Sequence, residues 1–393
     1  MTSVYHMTYL QAIVIGLVQG LTELFPVSSL GHTVLVPAWL GGTWGVLVRQ
    51  ESSAESPYLA FIVGLHLATA VVLTGYYWRT WVRIVRGLVT SILRRRIDNA
   101  DQRLGWLLVI ATVPVGIAGL ALEHTFRVLF ARPDAAALFL TINGGILFLA
   151  ERYRRRGPGS AAVAGARATT SWGSGSPHLG AHPDGQPARP GRSPVLAAEA
   201  AGPGQPGPAP LPGPAEPGTV PQETLPQETV LPETVPPETV PPETVLAGTG
   251  GSGLRDREAD LAAVDRRLAA VGPLPALWIG AAQILALFAG ISREGVTMAG
   301  GLVRGLNHED AMRFSFLLST PVILAAGALK VPDLTGSLGN GIHGQVVAGS
   351  IAAAATSLFA VVFLARYFKT RTLTPFAIYC LAAGLISIIR FAF

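Results

Sequence analysis

Apolar residues run through this chain in blocks rather than in narrow stripes. Stretches near 8–25, 27–48, 57–77, 81–93, 104–122, 134–150, 271–289, 296–303, 313–329, 344–365 and 374–393 are dominated by them. Several approach the ~20 residues that carry a helix across a bilayer, which predicts an all-α polytopic membrane protein. Basic residues crowd 79–103, 151–156, 254–267 and 366–371. Positive charge beside membrane spans marks cytoplasmic loops, so the loops near 49–56, 123–133 and 330–343 face outside. With the N-terminus outside, residues 8–48 begin and end on the outer side, whereas 271–304 begin and end on the inner side. Each is predicted to be a re-entrant helical hairpin, and the two enter from opposite faces.

An internal repeat supports the hairpins. A shift of 264 residues lays "AIVIGLVQGLTELFPVSSLGHT" over "ALWIGAAQILALFAGISREGVT", so that Ala12, Gly16, Gln19, Leu21, Ser28, Gly31 and Thr33 fall on Ala276, Gly280, Gln283, Leu285, Ser292, Gly295 and Thr297. Both copies share a helix break followed by a serine and then a glycine. Inverted-topology repeats with broken helices usually meet at a binding site within the membrane.

Between the repeats the pattern changes. Residues 157–253 are rich in Gly, Pro, Ala and Ser, and "PQETLPQETVLPETVPPETVPPETV" repeats every five residues from Pro221 to Val245. A repeat so short and proline-rich packs no core, and reads as an extended, solvated linker. The chain therefore divides into a first membrane repeat region at 1–156, a disordered linker at 157–253 placed in the cytoplasm, and a second membrane repeat region at 254–393. Within the last, residues 254–270 resume helical periodicity with many charges and are predicted to form a short amphipathic helix.

Composition narrows the class further. Of 393 residues, 50% are hydrophobic and 13% charged, about half the charged share usual for a soluble domain. The net charge of +5 comes from arginines such as Arg94, Arg95 and Arg96, which flank apolar runs. They set membrane topology rather than form a nucleic-acid face, and no nucleic-acid partner is expected. The lone cysteine, Cys380, lies in an apolar run and says nothing of redox compartment. No basic n-region precedes the first apolar stretch, so no cleavable signal peptide is expected.

The candidate chemistry sits in the two hairpins. Unpaired backbone at membrane depth is tolerated only within protein or against a watery cavity. Pro26 and Gly290 interrupt their helices, and Ser28 and Ser292 are suited to cap the helices that follow. Two helix N-termini would converge there and attract phosphate, with Arg293 adding a planar fork for phosphate oxygens. Gln19 and Glu23 share a helix face. A carboxylate in a membrane segment is a functional candidate by default, and Glu23 can bind a divalent cation, orient a base or act as one. The plainer alternative pairs it with Arg293 so that each neutralises the other. Ser29 is a candidate nucleophile, with His32 one turn along to activate it or protonate the leaving group. For Ser28 capping alone is a sufficient account, and a lone His32 would read as a satisfied interior histidine.

At these residues "TELFPVSSLGH" and "GISREGVT" resemble the two signature regions of the bacterial undecaprenyl-diphosphate phosphatases of the bacitracin-resistance type. The resemblance covers nearly all the apolar chain and implies a multi-pass enzyme of the bacterial cell membrane, with its active site facing outside. It implies removal of the terminal phosphate from the C55 isoprenyl diphosphate carrier, which returns the monophosphate to cell-wall synthesis. By motif, the family's functional positions become Glu23, Ser29, His32 and Arg293, with Gln19, Ser28, Ser292 and Thr297 around the substrate. Two positions depart from the usual Pro-Gly-x-Ser-Arg-Ser-Gly motif: Ala289 replaces the proline and Glu294 the second serine. Glu294 should repel a diphosphate unless a cation or Arg293 intervenes. A divalent cation, calcium or magnesium, held partly by Glu23 and with Glu294 as a second candidate ligand, is therefore expected. A homodimer is left open.

Two rivals remain at this stage. A carrier that flips the lipid monophosphate between leaflets would also use inverted repeats and broken helices, although it needs no nucleophile. A catalytically impaired paralogue is the other, motivated by Glu294.

Overall fold

The computed structural model of the chain describes residues 7–51, 57–130, 132–156, 260–336 and 341–392. The chain divides into two units, Met1–Ser171 with Gly250–Phe393, and Trp172–Thr249. All described residues belong to the first, and the expectation for 157–253 lies outside them.

Every described element is helical. The first repeat holds α1 (Tyr9–Leu24), α2 (Ser29–Leu40), α3 (Gly42–Glu51), α4 (Pro57–Tyr76), α5 (Trp78–Arg94), α6 (Ala100–Phe130) and α7 (Pro133–Arg156). The second holds α8 (Asp260–Ala269), α9 (Pro273–Ala282) continued by a 3₁₀ turn over Gln283–Leu287, α10 (Arg293–Val303), α11 (His308–Thr335), α12 (His343–Tyr367) and α13 (Thr374–Ala392). Helix α8 falls where the charged periodicity of 254–270 placed one.

Local chemistry starts these helices. Thr8 accepts from Gln11 N at 3.2 Å while Gln11 Oε1 accepts from Thr8 N at 2.9 Å, a reciprocal capping box. Pro273 opens α9 at a position whose N–H has no helical partner anyway. Asn307 caps α11 by accepting from Asp310 N at 2.8 Å.

Five described helices are long and apolar enough to cross a membrane: Ala100–Ala121, Pro133–Arg156, His308–Leu329, His343–Tyr367 and Thr374–Ala392. Two bent pairs would raise the total to seven. Helix α5 continues α4 after an 83° bend, and α9 continues α8 after one of 99°. The stretches 57–77 and 81–93 are thus one bent pair rather than two straight crossings. Helix α1, with 16 residues, is only about 24 Å long at 1.5 Å per residue, short of the ~30 Å hydrocarbon layer.

Helix partners exchange between the repeats. Helix α1 lies along α12, and its repeat counterpart α9 lies along α6. The α4–α12 contact is matched by α6–α11, while α4 pairs with α11 and α7 with α13. This is the pairing that a two-fold relation between repeats requires. Small residues permit it, as is usual between helices in lipid. A Cβ on Gly16 would lie 2.3 Å from the Gly349 carbonyl oxygen, and one on Gly280 would lie 1.9 Å from that of Ala111.

One buried arginine among these helices is fully paired. Arg313, 2% exposed, donates from Nε to Asp265 Oδ1 at 2.7 Å and from Nη2 to Thr80 Oγ1 at 3.0 Å, and stands 5.1 Å above the Tyr77 ring. Arg83 reaches the other oxygen of Asp265. The group ties α5 and α8 to α11 at the two bends, so a charge that would be costly alone is held in place by its partners.

Candidate active site

The two helix breaks meet. Helix α1 stops at Phe25, ahead of Pro26, and α2 begins at Ser29 after Ser28, whose φ of 73° is unusual for a residue with a side chain. A non-glycine residue held there costs on the order of 1–3 kcal/mol and persists only where its surroundings impose it. Those surroundings are visible. Ser28 Oγ accepts from Gly31 N at 3.2 Å, capping its own helix, and from Gly290 N of the other break, also at 3.2 Å.

The second break is built the same way. Ser292 Oγ accepts from Gly295 N at 3.1 Å and caps α10. Gly290 has a φ of 111°, and a Cβ there would sit 2.4 Å from the Ala136 carbonyl oxygen. Glycine therefore keeps the break open with Ala289 rather than a proline before it. Asn143 of α7 bridges the two breaks: its Nδ2 donates to the Pro26 carbonyl at 3.1 Å, and its Oδ1 accepts from Ser292 N at 3.1 Å.

Two helix N-termini are thus held together, with Ser29 and Arg293 at equivalent first positions of α2 and α10. Their first turns carry N–H groups without helical acceptors and the positive ends of two dipoles. Arg293 adds a cation. Its Nη1 is buried and has no hydrogen-bond partner among the described residues. Glu23, which could have neutralised it, is instead 3.2 Å from His66 Nε2, and no Glu23–Arg293 ion pair forms within 4.0 Å.

Glu23, 6% exposed, gathers the rest of the first hairpin. Its Oε2 accepts from Gln19 Nε2 at 3.1 Å and from Ser29 Oγ. The hydroxyl of Ser29 therefore points at a carboxylate. His32 is engaged elsewhere: its Nδ1 donates to the Ser28 carbonyl at 2.6 Å, which leaves Nε2 to accept from Tyr379 Oη at 2.7 Å. The serine–histidine couple suggested by their spacing is not the one formed here.

Glu294 is fully buried and accepts from Ser315 Oγ of α11 through Oε2, while its Oε1 has no partner among the described residues. Gln19 Oε1, Gln283 Oε1 and Thr297 Oγ1 are also buried without partners there. No cluster of three His, Cys, Asp or Glu side chains suited to a metal occurs among the described residues.

Three contributors were not singled out from the sequence. His66 lies in the apolar block 57–77, where a histidine inside a membrane segment is itself the signal. Asn143, a lone amide in α7, carried the same kind of signal. Tyr379 carried none, since tyrosine is ordinary near the end of a span.

Fold and site together define a helical membrane protein in which two helix N-termini converge beside a guanidinium whose Nη1 is buried. The chain matches the model of the family described as bacitracin resistance protein BacA over residues 12–173 and 253–386, and it belongs to that family. It is 48% identical over 391 residues to "Undecaprenyl-diphosphatase 2" of Frankia alni, covering 99% of each chain. It is 44% identical to "Undecaprenyl-diphosphatase" of Mycolicibacterium paratuberculosis over 98% of each chain, and 32% identical to that of Granulibacter bethesdensis over 96% and 95%. These alignments run nearly end to end on both chains.

Proposed function

We propose that this chain hydrolyses undecaprenyl diphosphate to undecaprenyl phosphate, recycling the lipid carrier for cell-wall synthesis and conferring bacitracin resistance. The observation that carries this is the buried, unpartnered Arg293 Nη1 beside a serine whose hydroxyl is directed at Glu23. The guanidinium and the two helix N-termini bind the terminal phosphate and stabilise charge as it builds in the transition state. The attacking oxygen is Ser29 Oγ or a water that Ser29 holds. It bonds to the terminal phosphorus and passes its proton to Glu23 Oε2, while the bond from that phosphorus to the bridging oxygen breaks. The electron pair leaves with undecaprenyl phosphate; for His32 to serve as acid to that oxygen, Nε2 must be protonated in place of the bond it accepts from Tyr379 Oη. Should Ser29 attack, water releases the phosphate from it in a second, equivalent step. A lipid carrier would need the phosphate site but not the Ser29–Glu23 couple. Expression in a bacterium tests the reading: the bacitracin concentration tolerated should rise with this chain, and an equally abundant, inserted protein that gives no rise would count against it.

The same reading extends to a divalent cation, calcium or magnesium. Hard cations take oxygen ligands, and magnesium sites often combine one or two carboxylates with substrate phosphates. Glu23 and Glu294 are the carboxylates, and the unpartnered Glu294 Oε1 and Gln19 Oε1 fit such a role. The cation would neutralise diphosphate charge. Glu294→Ser should then lower activity several-fold and raise the cation concentration that gives half the maximal rate. An unchanged cation curve would limit Glu294 to its contact with Ser315.

We infer further that α1–α2 and α9–α10 are re-entrant hairpins, that the active site opens to the outer face of the cell membrane, and that 157–253 is cytoplasmic. The shortness of α1 and the basic flanks of the spans support this. A cysteine introduced within 157–253 should resist a membrane-impermeant thiol reagent in intact cells and react once they are permeabilised. Labelling in intact cells would reverse the topology.

A further inference from the structure

We propose that His66 is the positioning residue for Glu23, holding the carboxylate on the line to Ser29 by donating a hydrogen bond from Nε2. The inference rests on the reading of Ser29 and Glu23 as the hydrolytic couple.

The ring of His66 is fixed at both ends. Its Nδ1 lies 2.9 Å from the Ile62 carbonyl oxygen on the same helix, α4. A carbonyl only accepts, so Nδ1 carries a hydrogen and the ring cannot turn over without losing that bond. Its Nε2 is then aimed at Glu23 Oε2, 3.2 Å away. Because an ionised carboxylate only accepts, the donated bond requires a second hydrogen on Nε2: the ring acts as an imidazolium paired with Glu23. The side chain is 22% exposed, so the ring is mostly enclosed.

Gln19, Ser29 and His66 all meet on Glu23 Oε2, and they differ in what each can do for it. Gln19 is four residues upstream on α1 and moves with Glu23. Ser29 is the group acted upon, and its hydrogen is the one to be given up. His66 alone among the three comes from a separate helix that takes no part in the bond changes. Glu23 lies one residue from the end of α1, where the chain breaks at Phe25 and Pro26 and helical hydrogen bonding stops. A last-turn side chain is poorly held by its own helix. A donor on α4, itself packed on α11 and α12, supplies the external reference that the break removes. Preorganisation of this kind matters because a misplacement of about 1 Å at a reacting group can cost on the order of 100-fold.

Steady-state hydrolysis of undecaprenyl diphosphate by the full-length chain tests the proposal, with the thermal unfolding midpoint measured on each preparation. His66→Ala and His66→Met, which lack the donor, should lower kcat about 100-fold with KM within about threefold of the parent, because phosphate binding at Arg293 is untouched. His66→Gln, whose amide can donate to Glu23 from nearly the same place, should recover kcat to within about tenfold of the parent. His66→Met keeps the test decisive if the smaller alanine unsettles the fold. A folded His66→Met with the parental kcat overturns the proposal. So does a folded His66→Gln as impaired as His66→Met, or a loss confined to protein yield and unfolding midpoint at unchanged specific activity. Absence of hydrolysis by the unmodified chain would instead overturn the functional reading beneath it.

Discussion

Replacing Arg293 by lysine should lower kcat/KM for undecaprenyl diphosphate by at least ~100-fold while the protein still inserts and folds. Arg293 stands at the first position of α10 and makes no hydrogen bond from its buried Nη1 among the described residues. Removing it therefore breaks no structural contact at that atom, and the expected loss falls on substrate. An ammonium keeps the charge but not the planar pair of donors that matches two phosphate oxygens. Loss of one preorganised donor to a developing oxyanion costs on the order of 100- to 1000-fold in other enzymes. Purified Arg293→Lys with a near-parental kcat/KM would show that the guanidinium does not clamp the reacting phosphate.

The second large effect belongs to the Ser29–Glu23 couple. Glu23→Gln keeps the shape of the side chain and removes its basicity, and Ser29→Ala removes the hydroxyl that now donates to it. Each should lower kcat at least ~100-fold, and the double variant should be little worse than either alone, since groups that act as a unit give non-additive losses. His32→Ala should also lower kcat, but through departure of the monophosphate, because both ring nitrogens point away from Ser29. A double variant whose loss is the product of the two single losses would mean that Glu23 and Ser29 act separately. Kinetics of the three purified proteins at saturating lipid settle the point.

Much of the site could be read before the fold because it depends on local rules. A proline or glycine that stops a helix, followed by a serine that caps the next, is a pattern of neighbouring residues, and Ser28 and Ser292 behave as such caps. Ser29 and Arg293 directly follow those caps and so open their helices. What could not be read depends on contacts distant in sequence or on side-chain direction. Spacing puts Ser29 and His32 within one turn of each other, yet the unusual backbone at Ser28 brings its carbonyl to His32 and leaves Ser29 facing Glu23. His66 and Asn143 reach the site from α4 and α7, and only packing decides which face of an apolar helix turns inward. The tie that joins the two bends, Arg313–Asp265, spans residues 48 positions apart and is equally invisible to local pattern. For Glu294 the sequence leaves open whether the carboxylate serves as a cation ligand or points away, and its bond to Ser315 of α11 is a contact distant in sequence.

The central claim is that the paired helix N-termini, Arg293, Ser29 and Glu23 form a hydrolytic centre rather than a lipid-binding one. Release of inorganic phosphate from undecaprenyl diphosphate by the purified full-length chain, supplied with calcium or magnesium, tests it most directly. The account predicts one phosphate released and one undecaprenyl monophosphate formed per lipid consumed, with both products absent from Ser29→Ala within the detection limit of the parent's slowest turnover. A folded, lipid-binding parent protein that releases no phosphate under those conditions would contradict it.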